Sequence, residues 1–265
     1  MSTADPDSGD LLALAIEAAH EAGALLRKRF EAGPERRVRT KSTPTDLVSE
    51  ADLAAQRAIY SLISTRRPDD GFVAEEEGAD LAGSSGLRWI VDPLDGTVNF
   101  LFAIPEWCVS IAVRDSEGTL AGVVHDPMAS RTFSAIRGGR AEQDGVPITP
   151  VEHHAGPLSE AMIATGFGYD ANVRAAQGAV IARVLPKVRD IRRFGSAALD
   201  LAWTAAGRYQ AYFERGVNQW DVAAGALLCE CAGLELHELA AHGNLPAGVL
   251  VAPSSLVHEL LALVA

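Results

Sequence analysis

Cysteine and long apolar runs are scarce in this sequence, and both absences exclude classes of protein. Three cysteines occur among the 265 residues, an odd number that cannot pair completely. Cys229 and Cys231 stand two positions apart in a predicted helix and therefore point in different directions. We expect reduced thiols at both and at Cys108. No run reaches the roughly eighteen apolar residues of a membrane-spanning helix, so we expect no membrane partner.

Positive charge is scarce as well. The sequence has 23 lysines and arginines against 35 aspartates and glutamates, and its formal net charge is -12. This excess argues against nucleic acid as a partner that bulk electrostatics would hold. The first residues, MSTADPDSGD, are acidic and polar, unlike a secretory or mitochondrial signal, so we expect a cytoplasmic location. An anionic substrate would need cations supplied locally.

The sequence has enough apolar residues, 48%, to form a large core. Helical spacing over residues 11–31 and from about Glu50 to Thr65 predicts two helices, and from Gly71 onward short β-branched runs predict strands. Beyond about Pro150, predicted strands and helices alternate. We therefore predict an α/β protein in which an α+β half, residues 1–150, precedes an α/β half, residues 151–265, within one rigid body.

Acidic residues gather where predicted elements end. They are Asp46 and Asp52 in DLVSEAD, Glu75, Glu76 and Glu77 in AEEEG, Asp92 and Asp95 in DPLDGT, and Asp221 in NQWDVAAG. Oxygen ligands with almost no nearby histidine or cysteine suit a hard cation such as Mg²⁺ rather than zinc. Since Mg²⁺ is usually held by a few carboxylates together with substrate phosphate, we expect a phosphate ester as the partner.

Some of these acids also have an ordinary structural explanation. Asp52 stands three positions after Ser49, which is the spacing of a capping box, and Asp221 stands at an apparent helix start, where an acid favours the helix dipole. The three consecutive glutamates could form a solvated loop. The DPLDGT segment is harder to explain in this way, because its proline and glycine predict a tight turn that aims both acids and the threonine hydroxyl to one side.

The DPLDGT segment also invites comparison with D-x-D-G-T, the motif of phosphatases of the haloacid dehalogenase class. In that motif the first aspartate is a nucleophile and the second, two residues on, is a general acid. Here the two aspartates are three residues apart, and they lie near residue 92 rather than on a first strand. The spacing of two residues, which lets both acids of that motif face the same pocket from a strand, is therefore absent.

Taken together, the segments KSTPTDLVSEAD, FVAEEE, WIVDPLDGTVNF and YFERGVNQWDVAAGALLCECAG resemble the inositol monophosphatase family of lithium-sensitive, metal-dependent phosphatases. The resemblance covers nearly the whole chain. It implies a five-layered αβαβα sandwich, a homodimer, and two or three Mg²⁺ ions. The implied activity is hydrolysis of a small phosphate monoester.

The resemblance also implies roles for particular residues. The metal ligands would be Glu75, Asp92, the backbone carbonyl of Leu94, Asp95 and Asp221. Glu75 and Thr97, helped by Asp52, would position and deprotonate the attacking water, and phosphate would rest on the backbone N–H groups of Gly96 and Thr97. The alcohol portion would be contacted by Asp95, Gly195, Ser196, Ala197, Glu214 and Asp221, with Lys41 in a supporting role.

The sequence departs from the family pattern in places that leave alternatives open. Ala74 stands where the family usually has glycine before its acid pair, and a third glutamate follows, so either Glu75 or Glu76 could be the ligand. Glu214 matches the inositol-type arrangement and favours myo-inositol 1-phosphate. Fructose 1,6-bisphosphate, histidinol phosphate and nucleotide 3'-phosphates remain alternatives, as does a non-catalytic binding protein on the same fold.

Overall fold

The computed structural model describes residues 8–33, 38–40, 47–76, 80–148 and 156–265. The helices of this part are α1 (Ser8–Glu31), α2 (Glu50–Arg66), α3 (Thr97–Leu101), α4 (Ala171–Val184), α5 (Ala197–Ala205), α6 (Gln219–Cys231) and α7 (Ser254–Val264). Among these helices, none is both long and apolar enough to cross a membrane.

The strands fall into three sheets. They are β1 (Val38–Thr40), β2 (Leu47–Ser49), β3 (Gly71–Ala74), β4 (Asp80–Leu81), β5 (Arg88–Asp95), β6 (Cys108–Asp115), β7 (Gly118–Asp126), β8 (Arg131–Ile136), β9 (Glu142–Gln143), β10 (Val146–Pro147), β11 (Met162–Thr165), β12 (Asp190–Arg192), β13 (Ala211–Arg215), β14 (Glu235–Leu239) and β15 (Gly248–Ala252). The large sheet has eight strands in the order β10-β9-β8-β7-β6-β5-β3-β4, the second has five in the order β12-β11-β13-β15-β14, and β1 pairs with β2.

The large sheet is mainly antiparallel because short turns join most of its neighbouring strands. Its exception is the pair β3 and β5, which run parallel. In the second sheet, β11 pairs in parallel with β12 and β13, whereas β15 is antiparallel to both of its neighbours. The sequence correctly predicted short strands in the first half and alternation of strands and helices in the second.

Two helices cover each outer face and two more fill the space between the sheets. On the outside of the large sheet, α1 and α2 contribute Leu26 and Ile59 to a core that also contains Trp89. Between the sheets, α5 and α6 contribute Leu201 and Leu228 to a core shared with both sheets. On the far side, α4 and α7 cover the second sheet. The five layers expected from the family resemblance are therefore present.

Strand β5 is buried on both faces because it lies inside these layers. Ile90 belongs to the core between the sheets, whereas Trp89 and Val91 belong to the core beneath α1 and α2. The continuous apolar run that precedes DPLDGT is the pattern expected of a doubly covered strand. The three cysteines are free thiols, as predicted. The predicted division of the chain at Pro150 lies outside the described residues and stays a prediction.

Candidate active site

The site is built at the end of β5, where the strand becomes irregular. The pairing of β5 with β6 shifts register between Asp92, opposite Ser110, and Asp95, opposite Cys108. The backbone N–H of Leu94 donates to Asp92 Oδ1 at 3.0 Å, so the chain turns on itself within the strand. Asp92 is 1% exposed and Asp95 is 9% exposed. The bulge thus carries two buried carboxylates out of the regular strand alternation.

Gly96 makes the turn that follows. Its φ is +98°, and a Cβ there would lie 2.9 Å from the carbonyl oxygen of Glu106, so both conformation and space require glycine. The turn leads directly into α3 at Thr97. The hydroxyl of Thr97 lies 2.9 Å from Asp52 Oδ1 and 3.0 Å from the carbonyl oxygen of Leu94. A hydroxyl has one hydrogen, so these two acceptors share it.

Asp52 reaches this turn from α2. Its side chain is fully buried. The capping-box alternative depends on Ser49, whose side chain is outside the described set. What the structure adds is the contact with Thr97, 45 residues away in sequence, which helix capping does not explain. Lys41, Asp46 and Glu77, which the sequence analysis also named, lie outside the described residues.

The second half of the chain contributes to the same place. Asp95 Oδ2 accepts hydrogen bonds from the Ser196 hydroxyl and the backbone N–H of Ala198, both at 2.7 Å, at the start of α5. The Tyr212 hydroxyl donates to Glu214 Oε2 at 2.9 Å on β13. These elements belong to different layers of the fold, so residues that are far apart in sequence form one site.

Asp221 combines two roles that the sequence analysis treated as alternatives. Its Oδ2 accepts a hydrogen bond from the backbone N–H of Asn218 at 2.6 Å, as in a capping box at the start of α6. Asp221 also lines the cavity that contains Asp92 and Asp95. Capping holds the carboxylate in place at the cavity wall, and one oxygen remains available.

These elements enclose a cavity of about 350 Å³. Of the residues named from the sequence, those that line it are Glu75, Asp92, Leu94, Asp95, Gly96, Thr97, Gly195, Ala197, Glu214 and Asp221. Asp52 and Ser196 touch its lining residues from behind. Glu76 does not line the cavity; it is buried, and its backbone exchanges two hydrogen bonds with the side chain of Gln56. This placement favours Glu75 over Glu76 as the acid that faces the site.

The carboxylates at the end of β5 repel one another in a poorly hydrated place. Burial raises the pKa of Asp92 well above the ordinary value of an aspartate, and the charges of Glu75 and Asp95 add to the rise. Burial also raises the pKa of Asp95 to about 6, although hydrogen bonds from Ser196 and Ala198 oppose the increase. Within the part of the chain that the structure describes, the hydrogen bonds to Asp95 therefore offset these charges only partly.

The acids from the second half show the same behaviour. Burial raises the pKa of Asp221 well above its ordinary value, and the charge of Asp95 contributes. Burial raises the pKa of Glu214 to about 7, although the hydrogen bond from Tyr212 opposes this rise. A pocket that contains several such acids favours either protons or cations, because either one relieves the repulsion.

The chemistry of this donor set fits a hard divalent cation. The cavity offers carboxylate and carbonyl oxygens, the preferred ligands of Mg²⁺, and two arginines are its described basic residues. Among the described residues, however, no three acidic, thiol or imidazole groups are already arranged around one point as a metal site. The cavity therefore has the type of ligand atom that Mg²⁺ prefers, but the described side chains do not converge on one common position.

Sequence reasoning missed several residues of the cavity. The loop between β11 and α4 lines it from Phe167 to Asp170, and Arg193 lines it after β12. Asn99 fixes the turn from behind by donating to the carbonyl oxygens of Glu106 at 2.7 Å and Phe194 at 2.6 Å. Phe167, Asp170 and Arg193 carry no short-range signal, because the chain brings them to the cavity over more than seventy residues.

The fold and the site define a class, the layered α/β phosphatases with a carboxylate-rich cavity between two sheets. The model of the inositol monophosphatase family matches residues 7–264. An inositol-1-monophosphatase of Mycobacterium leprae is 40% identical over 248 residues, covering 88% of this chain and 85% of that protein. A protein named Nus factor SuhB from Pasteurella multocida is 38% identical over 254 residues, covering 95% and 94%.

Solved structures agree with these sequence matches. The extragenic suppressor protein suhB from Bartonella henselae superposes with a TM-score of 0.87 at 32% identity, over 96% of this chain and 98% of that one. An IMPase from Thermotoga maritima gives a TM-score of 0.84 at 30% identity, over 96% of each chain. The chain therefore belongs to the inositol monophosphatase family, and it is an enzyme of this phosphatase type.

Proposed function

We propose that this enzyme is a Mg²⁺-dependent phosphomonoesterase that hydrolyses myo-inositol 1-phosphate or a related polyol phosphate to the alcohol and inorganic phosphate. One observation carries the proposal, the hydrogen bond between Thr97 and Asp52. This bond forms next to the buried carboxylate of Asp92, which neighbouring acids repel. A hydroxyl held by an acid next to such a cluster is suited to orienting water near a bound phosphate.

In this proposal, Glu75, Asp92, the carbonyl of Leu94, Asp95 and Asp221 hold two or three Mg²⁺ ions. Bound Mg²⁺ supplies positive charge that neutralises phosphate and lowers the pKa of water. The crowding of acids in the cavity supports this assignment, because cations would relieve the repulsion that raises the pKa of Asp92.

The chain's own groups then bind and orient the reactants. The backbone N–H groups of Gly96 and Thr97 would donate to phosphate oxygens at the turn. The Thr97 hydroxyl, held by Asp52, would orient the attacking water, and Glu75 would accept its proton. As the water oxygen bonds to phosphorus, the bond from phosphorus to the alcohol oxygen breaks, and the departing oxygen would take a proton from a solvent water, which the proton held by Glu75 later replaces.

The alcohol would be recognised by residues from the second half of the chain. Ser196 and Ala198 fix one oxygen of Asp95, and Tyr212 fixes one oxygen of Glu214. Each carboxyl can therefore present its other oxygen to a ring hydroxyl in a defined direction. This arrangement supports a polyhydroxylated alcohol, with Gly195, Ala197 and Asp221 completing the surface and Lys41 supporting it.

We further propose that the enzyme works as a cytoplasmic homodimer without a nucleic-acid partner, as the family resemblance and the net charge of -12 suggest. Some relatives carry the name Nus factor SuhB, and a non-catalytic role on the same fold is the alternative from another class. The complete set of acids around the cavity favours catalysis, because a purely structural fold would gain nothing from keeping such repulsion.

A substrate panel tests the proposal. Phosphate release is measured from myo-inositol 1-phosphate, fructose 1,6-bisphosphate, histidinol phosphate and adenosine 3',5'-bisphosphate, each with Mg²⁺ and with chelator. We expect turnover of the inositol ester that disappears with chelator. Preference for another ester would retain the reaction and change the substrate, and absence of turnover on all four would favour the non-catalytic alternative.

A further inference from the structure

Gln56 is a buried polar residue of α2 that lies one helical turn after Asp52. Its side chain belongs to a residue that is 7% exposed. Residues four positions apart share one face of a helix, so α2 presents Asp52 and Gln56 in the same direction. Asp52 contacts Thr97 at the turn after β5, and Gln56 contacts Glu76, the residue that follows Glu75.

Both polar atoms of the Gln56 amide bind the backbone of Glu76. Nε2 donates to the Glu76 carbonyl oxygen at 2.8 Å, and Oε1 accepts from the Glu76 N–H at 3.0 Å. A carboxamide has a donor and an acceptor side by side, so it can pair with the N–H and C=O of one residue as a neighbouring strand would. Strand β3 ends at Ala74, so Gln56 supplies the partner that the strand no longer provides.

Glu75 lies between two backbone anchors. Its own N–H donates to the carbonyl oxygen of Val91 on β5 at 3.2 Å, and the next residue along the chain is the one that Gln56 holds. Glu75 lines the cavity, whereas Glu76 is 3% exposed and does not line it. Because the backbone is fixed on both sides of the Glu75 side chain, the direction in which that side chain leaves the backbone is restricted as well.

We propose that Gln56 is a positioning residue for the reaction, because through the Glu76 backbone it keeps the Glu75 carboxyl directed into the cavity. Helix α2 would then support both residues assigned to the attacking water, Thr97 through Asp52 and Glu75 through Gln56. This inference rests on the proposed function and adds a residue that does not touch the reactants. A small displacement of a catalytic group lowers a rate strongly, and residues behind a metal ligand tune metal affinity.

The test compares the unmodified enzyme with Gln56→Met, which can form neither hydrogen bond, with Gln56→Glu, which keeps the bond from the Glu76 N–H, and with the control Ile59→Val. Ile59 is a fully buried apolar residue of the same helix, so its shortening lowers stability without removing a hydrogen bond. For the ester that the unmodified enzyme hydrolyses fastest, kcat and KM are measured at saturating Mg²⁺. The Mg²⁺ concentration that gives half of the maximal rise in Tm is measured without substrate.

In Gln56→Met we expect kcat to fall about tenfold and the Mg²⁺ concentration for half-maximal stabilisation to rise about tenfold. The KM for the ester should stay within about threefold, because the groups assigned to phosphate and alcohol lie on other elements. Gln56→Glu should fall between Gln56→Met and the unmodified enzyme. Ile59→Val should have a lower Tm but keep all three quantities within about twofold.

A lower Tm in Gln56→Met with unchanged kcat and unchanged Mg²⁺ response would overturn the proposal, because Gln56 would then only satisfy two backbone groups. If Gln56→Met does not fold, equal kcat and Mg²⁺ response in Gln56→Glu and Ile59→Val would overturn it instead. If the unmodified enzyme hydrolyses no ester of the substrate panel, the proposed function fails. The role of Gln56 still stands in that case if Mg²⁺ stabilises the unmodified enzyme at lower concentration than Gln56→Met, and it falls if the two proteins respond alike.

Discussion

Asp70, which directly precedes β3, contacts Trp89 near the start of strand β5, and Asp92 lies near the end of that strand; these two buried aspartates have opposite environments. The side chain of Asp70 is 1% exposed, and its oxygens meet Arg67 Nε at 2.9 Å, the Ser85 hydroxyl at 2.6 Å and Trp89 Nε1 at 2.9 Å. Burial alone would raise the pKa of Asp70, but these donors outweigh it, and the pKa is lowered.

At the other end of the strand, the pKa of Asp92 is raised because burial is reinforced by neighbouring acids. The backbone N–H of Leu94 donates a hydrogen bond to Asp92 Oδ1. This difference distinguishes a structural acid from a functional one. An acid that accepts hydrogen bonds and an ion pair from the protein stabilises the fold, whereas an acid surrounded by other acids is suited to binding a cation. Replacing each aspartate by its amide should therefore have different consequences.

The largest effect is expected from Asp92→Asn. The amide keeps the shape of the side chain but removes a charge that a divalent cation needs, so we expect Mg²⁺-dependent kcat/KM to fall about 10³-fold or more. Circular dichroism and the free energy of unfolding without Mg²⁺ should stay near those of the unmodified enzyme or improve, since one repulsive charge is gone. Near-normal activity of this variant would contradict the metal assignment.

Asp70→Asn should instead lower stability. The amide cannot pair with the Arg67 charge, and its nitrogen faces hydrogen-bond donors where the carboxylate accepted from them. We expect the free energy of unfolding, measured with urea, to fall by roughly 2 kcal/mol. Activity per folded molecule should change by less than about twofold. A large fall in kcat/KM with unchanged stability would mean that Asp70 does not differ from Asp92 in the way proposed.

Stabilisation by Mg²⁺ should distinguish Asp92 from Asp70 directly. A ligand that binds only the folded protein raises its stability by about 1.4 kcal/mol at ten times its Kd. We expect Mg²⁺ to raise the Tm of the unmodified enzyme and of Asp70→Asn to a similar extent, and to have little effect on Asp92→Asn. Equal shifts in all three proteins would place the bound cations away from Asp92.

The same contrast explains how much of the molecule the sequence predicted. Local periodicity predicts the helices and the larger strands, and the proline, glycine and closely spaced acids of DPLDGT predict its turn. Arg67 stands three residues before Asp70, so the sequence can suggest that ion pair, but Trp89 is 19 residues away from Asp70, and Glu75 is also distant in sequence from Asp92. The environment of each acid depends on tertiary packing, which periodicity does not encode.

Arg193 illustrates the same limit in the second half. The segment DIRRFG predicts a strand, and the structure places only Asp190–Arg192 in β12. Of the two consecutive arginines, Arg192 pairs with Asp190 at 2.5 Å, whereas Arg193 lies among the residues that line the cavity. The sequence shows that two arginines are adjacent, and the tertiary structure determines which of them lines the cavity.

The smallest effect is expected in the dependence of stability on pH, where Glu214 and Asp70 should act in opposite directions. Because the pKa of Glu214 is raised to about 7 in the folded protein, the folded state binds its proton more tightly than the unfolded state. Without Mg²⁺, its contribution to stability is therefore lost as pH rises from about 4.5 to about 7. Asp70 has a lowered pKa, so its contribution is present above about 3.8 and is lost as pH falls below that value.

Urea unfolding of the Mg²⁺-free protein between pH 3 and pH 8 measures how the free energy of unfolding depends on pH in both ranges. We expect Glu214→Gln to reduce the decline between pH 4.5 and 7, by less than about 1 kcal/mol because Glu214 is partly open to solvent in the cavity. Asp70→Asn should leave that window unchanged and flatten the acid side. If Glu214→Gln instead steepened the decline, Glu214 would be held as a carboxylate by a positive partner, and its proposed contact with a substrate hydroxyl would need a different geometry.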